Sequence, residues 1–460
     1  MTEGGVAASR PAEPHSRYVI FGASSIALLM SSIDSTIVAT ALHTLTREMG
    51  TSISWSTWAI TAYLLGQTVA MPLAGRLSDS WGRKRMFLIF VATFTASSLL
   101  CGLAVNVYML VAFRFIQALG GGGFMPSAMG IVSDRFGHDR DRAIGLFSSI
   151  FPFGALLGPA LGGFIVGYWN WRGIFFINVP VGIALLGLLA WLLPRSRSAR
   201  LPAVDPLGSG LMSGGLLGLM LGLNQLGERG LGSPLPWALL AAGAVLLALF
   251  VRRQDSSPHP VIPPALLRRS AFAIINGLNL LYGAFALGMF SYVPLYAQAR
   301  YGVGPLQAGT LLTARALGMM ACAVFVALLI RRIGYRPPMA AGFVVTGAGL
   351  LMLGLPPPGM PAFAWLSLGS LASGLGVGLA GPASNNAAID LMPDQVAAIS
   401  GLRGMFRQVG GIVLVSMVAL LITRTGDESG LIGHAFLVLT ALAVLAIPIV
   451  AWVPERRRPV

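Results

Sequence analysis

Runs of seventeen or more mainly apolar residues, each closed by a short cluster of arginine, glycine, proline or aspartate, recur fourteen times along the chain. They lie at about 18–42, 55–74, 86–105, 107–132, 142–168, 174–193, 207–226, 235–251, 271–298, 305–330, 338–355, 361–388, 397–422 and 433–453. A helix rises roughly 1.5 Å per residue, so about 20 apolar residues cross a hydrocarbon layer of roughly 30 Å. The pattern predicts an all-α integral membrane protein of 14 transmembrane helices. The first 17 residues are polar and contain proline, and no small-residue cleavage pattern follows the first run. That run is therefore expected to remain as an uncleaved helix.

Composition narrows the classes. Of 460 residues 55% are hydrophobic and 10% charged, against roughly 25% charged in a soluble domain. This composition speaks against a soluble enzyme. A net charge of +15 would point to nucleic acid in a polar chain, but its placement tells otherwise. With the N-terminus inside, 22 of the 31 Lys and Arg residues fall in cytoplasmic segments, 5 in outer loops, and Arg114, Arg315, Arg403 and Arg407 within spans. Basic residues stay on the cytoplasmic side, so both termini are expected there, with a basic rim against anionic lipid and no nucleic-acid partner. Lys84 is the only lysine, a bias that points to a GC-rich bacterial genome. Cys101 and Cys322 stand far apart in apolar runs, which offers neither a disulfide framework nor a metal site.

The chain repeats itself. Phe124-Met-Pro126 through Asp134, Gly145 and Gly154 aligns without a gap on Ala380-Gly-Pro382 through Asp390, Gly401 and Gly410, at an offset of 256. Gly82-Arg83-Lys84 matches Gly334-Tyr335-Arg336 at an offset of 252. The expected organisation is a cytoplasmic tail (1–17), a six-helix bundle (18–200), two inserted helices (201–270), a second, pseudo-symmetric six-helix bundle (271–454) and a short tail (455–460). Facing bundles would leave a cleft near the midplane.

Charges inside the spans are the candidate chemistry, because a charge in hydrocarbon marks an ion or substrate path by default. Asp34 is the only acid well inside a span. It sits roughly 21 Å from the cytoplasmic edge, and Arg114 roughly 10 Å from the outer edge of an inward-running helix, so the two depths match. Asp34 is read either as a site that binds and releases a proton or as a permanent ion pair with Arg114. His43, nine residues on, falls half a turn round the helix and is a weak relay candidate. In the second half Arg315 and Arg407 lie roughly 15 Å into their spans, with Arg403 one turn before Arg407. No carboxylate of that half is deep enough to neutralise them. They face a cleft, backbone carbonyls or polar residues such as Asn276, Asn279, Asn385, Asn386 and Gln408. The expected cleft set is Gln117, Arg315, Asn385 and Arg407, with aromatic and methionine residues such as Met71, Phe124, Phe151 and Tyr292 supplying adaptable apolar walls. Gly154, Gly158 and Gly162 recur every four residues on one helix face, and Pro159 removes a backbone donor. That face is a hinge or seal between bundles, or plain tight packing. Asp79 can cap a neighbouring helix and meet Arg83, latching the bundles.

Gly75-Arg-Leu-Ser-Asp79-Ser-Trp-Gly82-Arg83-Lys84-Arg85 resembles the signature loop of the major facilitator superfamily. Asp34-Ser-Thr36-Ile37-Val38, Gly154-Ala-Leu-Leu-Gly158-Pro159-Ala-Leu-Gly162-Gly163 and Trp171-Arg172 through Asn178, Pro180 and Gly182 resemble motifs of its fourteen-span drug:proton antiporter family. Ala118 and His43 depart from the family pattern, which has glycine and proline there. The resemblance implies a hinge at Gly154, Gly158, Pro159, Gly162 and Gly163 that distinguishes exporters, and a latch at Gly75, Asp79, Gly82 and Arg83 that holds the outward-facing state.

The expected function is proton-coupled export of amphipathic drugs or toxic organic compounds across the bacterial cytoplasmic membrane, with Asp34 and Arg114 in proton coupling and antibiotic resistance as the outcome. The expected partners are the substrate, protons and membrane lipid; no cofactor beyond the proton gradient is expected, and the chain is expected to be a monomer. A dedicated exporter of one specialised metabolite is the nearer alternative. A membrane-embedded transferase is remote, since the five histidines are dispersed and none begins an H-x-x-x-x-D pattern.

Overall fold

The computed structural model describes residues 14–193, 205–425 and 428–455. Most of the expected tails, and 194–204 at the junction with the inserted helices, lie outside the described residues, as does the side chain of His43. Every regular element described is helical. The first half comprises α1 (Pro14–Ile37), α2 (Leu42–Glu48), α3 (Ile53–Trp81), α4 (Arg83–Gly102), α5 (Val107–Phe136), α6 (Arg140–Ser148), α7 (Ile150–Tyr168), α8 (Gly173–Phe176) and α9 (Asn178–Leu192). Two further helices follow, α10 (Pro206–Arg229) and α11 (Pro234–Ser256). The second half holds α12 (Pro264–Leu267), α13 (Ser270–Gly283), α14 (Met289–Tyr301), α15 (Pro305–Ile333), α16 (Arg336–Gly354), α17 (Ala362–Ile389), α18 (Val396–Thr425) and α19 (Glu428–Val450).

Local chemistry sets the boundaries. The side chains of Ser52 and Asn106 accept the N–H groups of Trp55 (3.3 Å) and Met109 (2.9 Å), opening α3 and α5. Gly82 and Gly334, matched in the repeat, carry φ of +97° and +77° in the tight turns after α3 and α15. A side chain at either position would be strained. Several expected spans are interrupted. The first ends its α-helix at Ile37 and passes through a 3-10 turn, Val38–Ala41. The ninth carries a π turn, Ala284–Gly288, between α13 and α14, and the fifth and sixth divide into α6 with α7 and α8 with α9. Hydropathy is blind to such breaks, since it sums residues without regard to backbone geometry.

Among the described residues twelve stretches are long and apolar enough to cross a membrane, against the fourteen expected. The difference has two sources. Val107–Tyr168, 62 residues, is a single stretch that contains α5, α6 and α7. The 29-residue α3 is not among the twelve because residues such as Ser56, Gln67 and Thr68 lower its hydropathy. These three are buried, while Leu99, Phe164, Ile183, Trp191, Phe325 and Leu445 point outward. Polar inside and apolar outside is the arrangement expected where lipid is the solvent.

The helices α10 and α11 pack on each other, and α10 also lies against α3 and α18. Asp205 before α10 accepts from Arg253 Nε at 3.0 Å, and this guanidinium holds its carboxyl below the usual carboxylate range. The two halves meet through α3 and α5 with α18, through α6 with α15 and α17, and through α7 with α15. Polar contacts across the halves, Arg76 with Gln395, Asp79 with Ala398 and Arg140 with Asp390, gather at the end of the molecule bearing the arginine-rich turns, the basic end.

Candidate functional site

Asp34 lies on α1 three residues before the α-helix gives way to the 3-10 turn. Its carboxylate and the Arg114 guanidinium, from α5, are both fully buried, with Arg114 Nη1 donating to Asp34 Oδ2 at 2.5 Å. Two amides complete the shell, Gln117 Nε2 and Asn178 Nδ2 each donating to Asp34 Oδ1 at 3.0 Å. Both amides also donate to Ser98 Oγ, at 2.5 and 3.2 Å. Arg114 further donates to Gln117 Oε1 (2.7 Å) and the Ala59 carbonyl (3.0 Å), and stacks 4.1 Å above the centre of the Tyr63 ring. A carboxylate out of reach of water is tolerable only with such a set of donors. Withdraw the guanidinium, and the carboxylate must take a proton or find water.

Gln117, expected on the substrate cleft, is here a partner of Asp34 with no exposed surface. Asn178 and Ser98 were not singled out as site residues. The signals for Asn178 were its place in the motif that begins at Trp171 and an amide heading the otherwise apolar α9. Ser98 gave none, because small hydroxyls satisfy themselves within any membrane helix.

At the basic end Gly75 lies against the backbone of Ala397 and Ala398, where a Cβ would collide. Asp79 Oδ2 accepts the Ala398 N–H at 2.9 Å, in the first turn of α18, and Asp79 Oδ1 meets Arg83 Nη2 at 3.3 Å. Arg83 also donates to the Gly130 carbonyl and pairs with Asp134. Arg76 Nη1 reaches Gln395 Oε1 at 2.9 Å. The repeat-related turn uses different chemistry. Tyr335, matched to Arg83, donates to Asp390 at 2.8 Å, and Arg140 of the first half pairs with the same carboxylate at 2.7 Å. Asn385 belongs to this closure as well, donating to Ser148 Oγ across the halves at 3.2 Å.

The glycine face of α7 meets α1 of its own half, not the opposite half. Cβ atoms at Gly154, Gly158 and Gly162 would crowd Ser32, Thr36 and Ile37, whereas one at Gly163 would meet nothing within 4 Å. Pro159 lies inside α7, between two of the packed glycines. We expect Gly158→Val to destabilise the protein by about 1–3 kcal/mol through overpacking and Gly163→Ala to leave the midpoint unchanged. Thermal unfolding in detergent checks both, and equal midpoints for Gly158→Val and the parent would exclude the tight α1 to α7 contact.

In the second half Arg315, Arg403 and Arg407 are all buried. Arg315 Nη2 donates to the Phe285 carbonyl in the π turn. Arg403 donates to Asn385 Oδ1 at 3.2 Å and the Gly381 carbonyl at 3.3 Å. Arg407 lies 5.4 Å from the ring centre of Phe151, which belongs to the first half. Of the expected cleft residues Arg407 is thus at the seam between halves, and Arg315 stands on α15, which also packs against α6 and α7 of the first half.

A family model described as the Major Facilitator Superfamily matches residues 24–413 and 277–460. A multidrug transporter protein of Bacillus subtilis, MdtP, is 30% identical over 87% of this chain and 75% of its own. The tetracenomycin C resistance and export protein of Streptomyces glaucescens is 30% identical over 88% and 76%. The solved structure of the proton:xylose symporter XylE superposes with a TM-score of 0.67 at 16% identity, covering 96% of this chain and 97% of that one, a likeness of fold alone.

Proposed function

Since the chain belongs to the major facilitator superfamily, we propose that it is a secondary transporter that exports amphipathic drugs from the bacterial cytoplasm in exchange for protons. Relatives that match most of the chain and bear the names of multidrug and antibiotic exporters support the export reading. The observation that carries proton coupling is the Asp34 cluster, a fully buried carboxylate tied to Arg114 and two amides drawn from α5 and α9. In this reading α3 crosses the membrane and Val107–Tyr168 crosses twice, giving fourteen crossings, two bundles of six and the pair α10 and α11 between them. The basic end faces the cytoplasm, as basic loops do.

Contacts of Asp79, Arg76, Arg140 and Asn385 across the halves then close the cytoplasmic side and leave release outward. A proton arriving at Asp34 removes its charge and frees Arg114, which changes the relative stability of the two arrangements; substrate biases the same equilibrium. No covalent step is needed. Proton-driven uptake of a compound panel into everted vesicles tests the proposal, and absence of any pH-driven accumulation would overturn it. The similarity to an exporter named for tetracenomycin C favours, as a second reading, one dedicated metabolite as cargo; a panel with a single accepted compound would select it.

Asp79→Ala removes both the cap on α18 and the Arg83 pair. Loss of a cap costs about 1 kcal/mol, so the closed basic end is expected to open more often, with transport slowed and a cysteine placed at Ala397 labelled faster from the cytoplasmic side. Unchanged labelling would remove the latch role.

A further inference from the structure

We propose that the seam between the halves selects substrates carrying a negative charge, through Arg315, Arg403 and Arg407. This rests on the seam being the substrate path. The three arginines stand on α15 and α18 around Tyr282, which lies within electrostatic reach of all of them. Among the described residues none of them pairs with a carboxylate. Buried N–H groups are left without an acceptor at Arg315 Nε and Nη1, Arg403 Nε and Arg407 Nε.

At the matched position the two halves differ in charge balance. The one deep acid of the first half is neutralised by Arg114, whereas Ser370, which occupies the place of Arg114 at the repeat offset of 256, leaves its hydroxyl unpartnered. The centre of the molecule therefore carries an uncompensated positive charge confined to one side of the seam. Buried guanidinium groups with spare donors are stabilised most by a carboxylate, sulfonate or phenolate that accepts from several of them at once. Arg407 meets the half-buried ring of Phe151 from the opposite half, so an aromatic anion would stack on Phe151 while its charge reaches Arg407 and Arg315. Export of such an anion against an inward proton is electrogenic, unlike exchange of a monovalent cation for a proton.

Fluorescein and rhodamine 123 share a xanthene ring system and differ in charge. Anisotropy titrations of both dyes with the full chain in neutral detergent, without any gradient, test the proposal. Fluorescein is expected to bind about tenfold more tightly than rhodamine 123, with Arg407→Gln and Arg315→Gln abolishing that preference and Arg407→Lys retaining part of it. A cooperative thermal unfolding transition in each Gln variant shows that it remains folded. Equal affinities, a preference for the cation, no saturable fluorescein binding, or a preference that survives both Gln variants would each overturn the proposal. The assay does not involve proton exchange, so a chain that prefers the anion yet fails in everted vesicles refutes antiport and leaves this selectivity standing.

Discussion

Vesicles carrying Asp34→Asn are expected to lose proton-driven accumulation on the order of a hundredfold, the upper range of a coupling free energy of about 3 kcal/mol between two ligands. The protein should still insert and fold. Asparagine is nearly isosteric, and with its carbonyl in the Oδ1 place it still accepts from Gln117 and Asn178, while Arg114 gives up its bond to Oδ2 and keeps those to Gln117 Oε1 and the Ala59 carbonyl. What it lacks is a proton that comes and goes. Downhill movement of substrate should persist, because occupancy of the seam does not depend on Asp34. Transport by the variant that still follows an imposed pH gradient would remove Asp34 from the coupling mechanism.

Arg114→Met should be the more damaging change to the folded protein. It strips the guanidinium from a carboxylate with no exposed surface, and breaking a buried pair from one side costs about 3–5 kcal/mol. The double variant Asp34→Asn with Arg114→Met leaves no charge behind and is expected to recover most of the loss. Thermal unfolding of the parent, both single variants and the double gives the interaction energy directly. Additive losses would mean that the two side chains do not depend on each other, and the cluster would then be a packing feature.

The glycine motif of α7 illustrates where linear reading stops. Spacing of four placed Gly154, Gly158 and Gly162 on one face, and structure places that face against Ser32, Thr36 and Ile37 of α1. Spacing defines a face; it says nothing about which helix covers it. Gln117 is a similar case. An amide three residues after Arg114 shares its helix face, so membership of the Asp34 cluster was open to inference, yet the same residue on a slightly rotated α5 would line the seam. The closure at the basic end was half visible. Asp79 as a helix cap follows from its place in the loop, but that Asp390 is shared by Tyr335 and Arg140 depends on two turns more than 50 and 200 residues away.

Hydropathy and charge alone settled that this is a helical membrane protein and set one acid and four arginines well inside its apolar runs, because transfer into hydrocarbon is a property of each residue and its immediate run. Tertiary structure alone decided the company these charges keep: an acid enclosed by Arg114, Gln117 and Asn178 in one half, and arginines left without an acid in the other. Those outcomes turn on the rotation and crossing of helices distant in the chain, where an ångström decides between a hydrogen bond and an orphaned donor, and no sum over neighbouring residues contains that information.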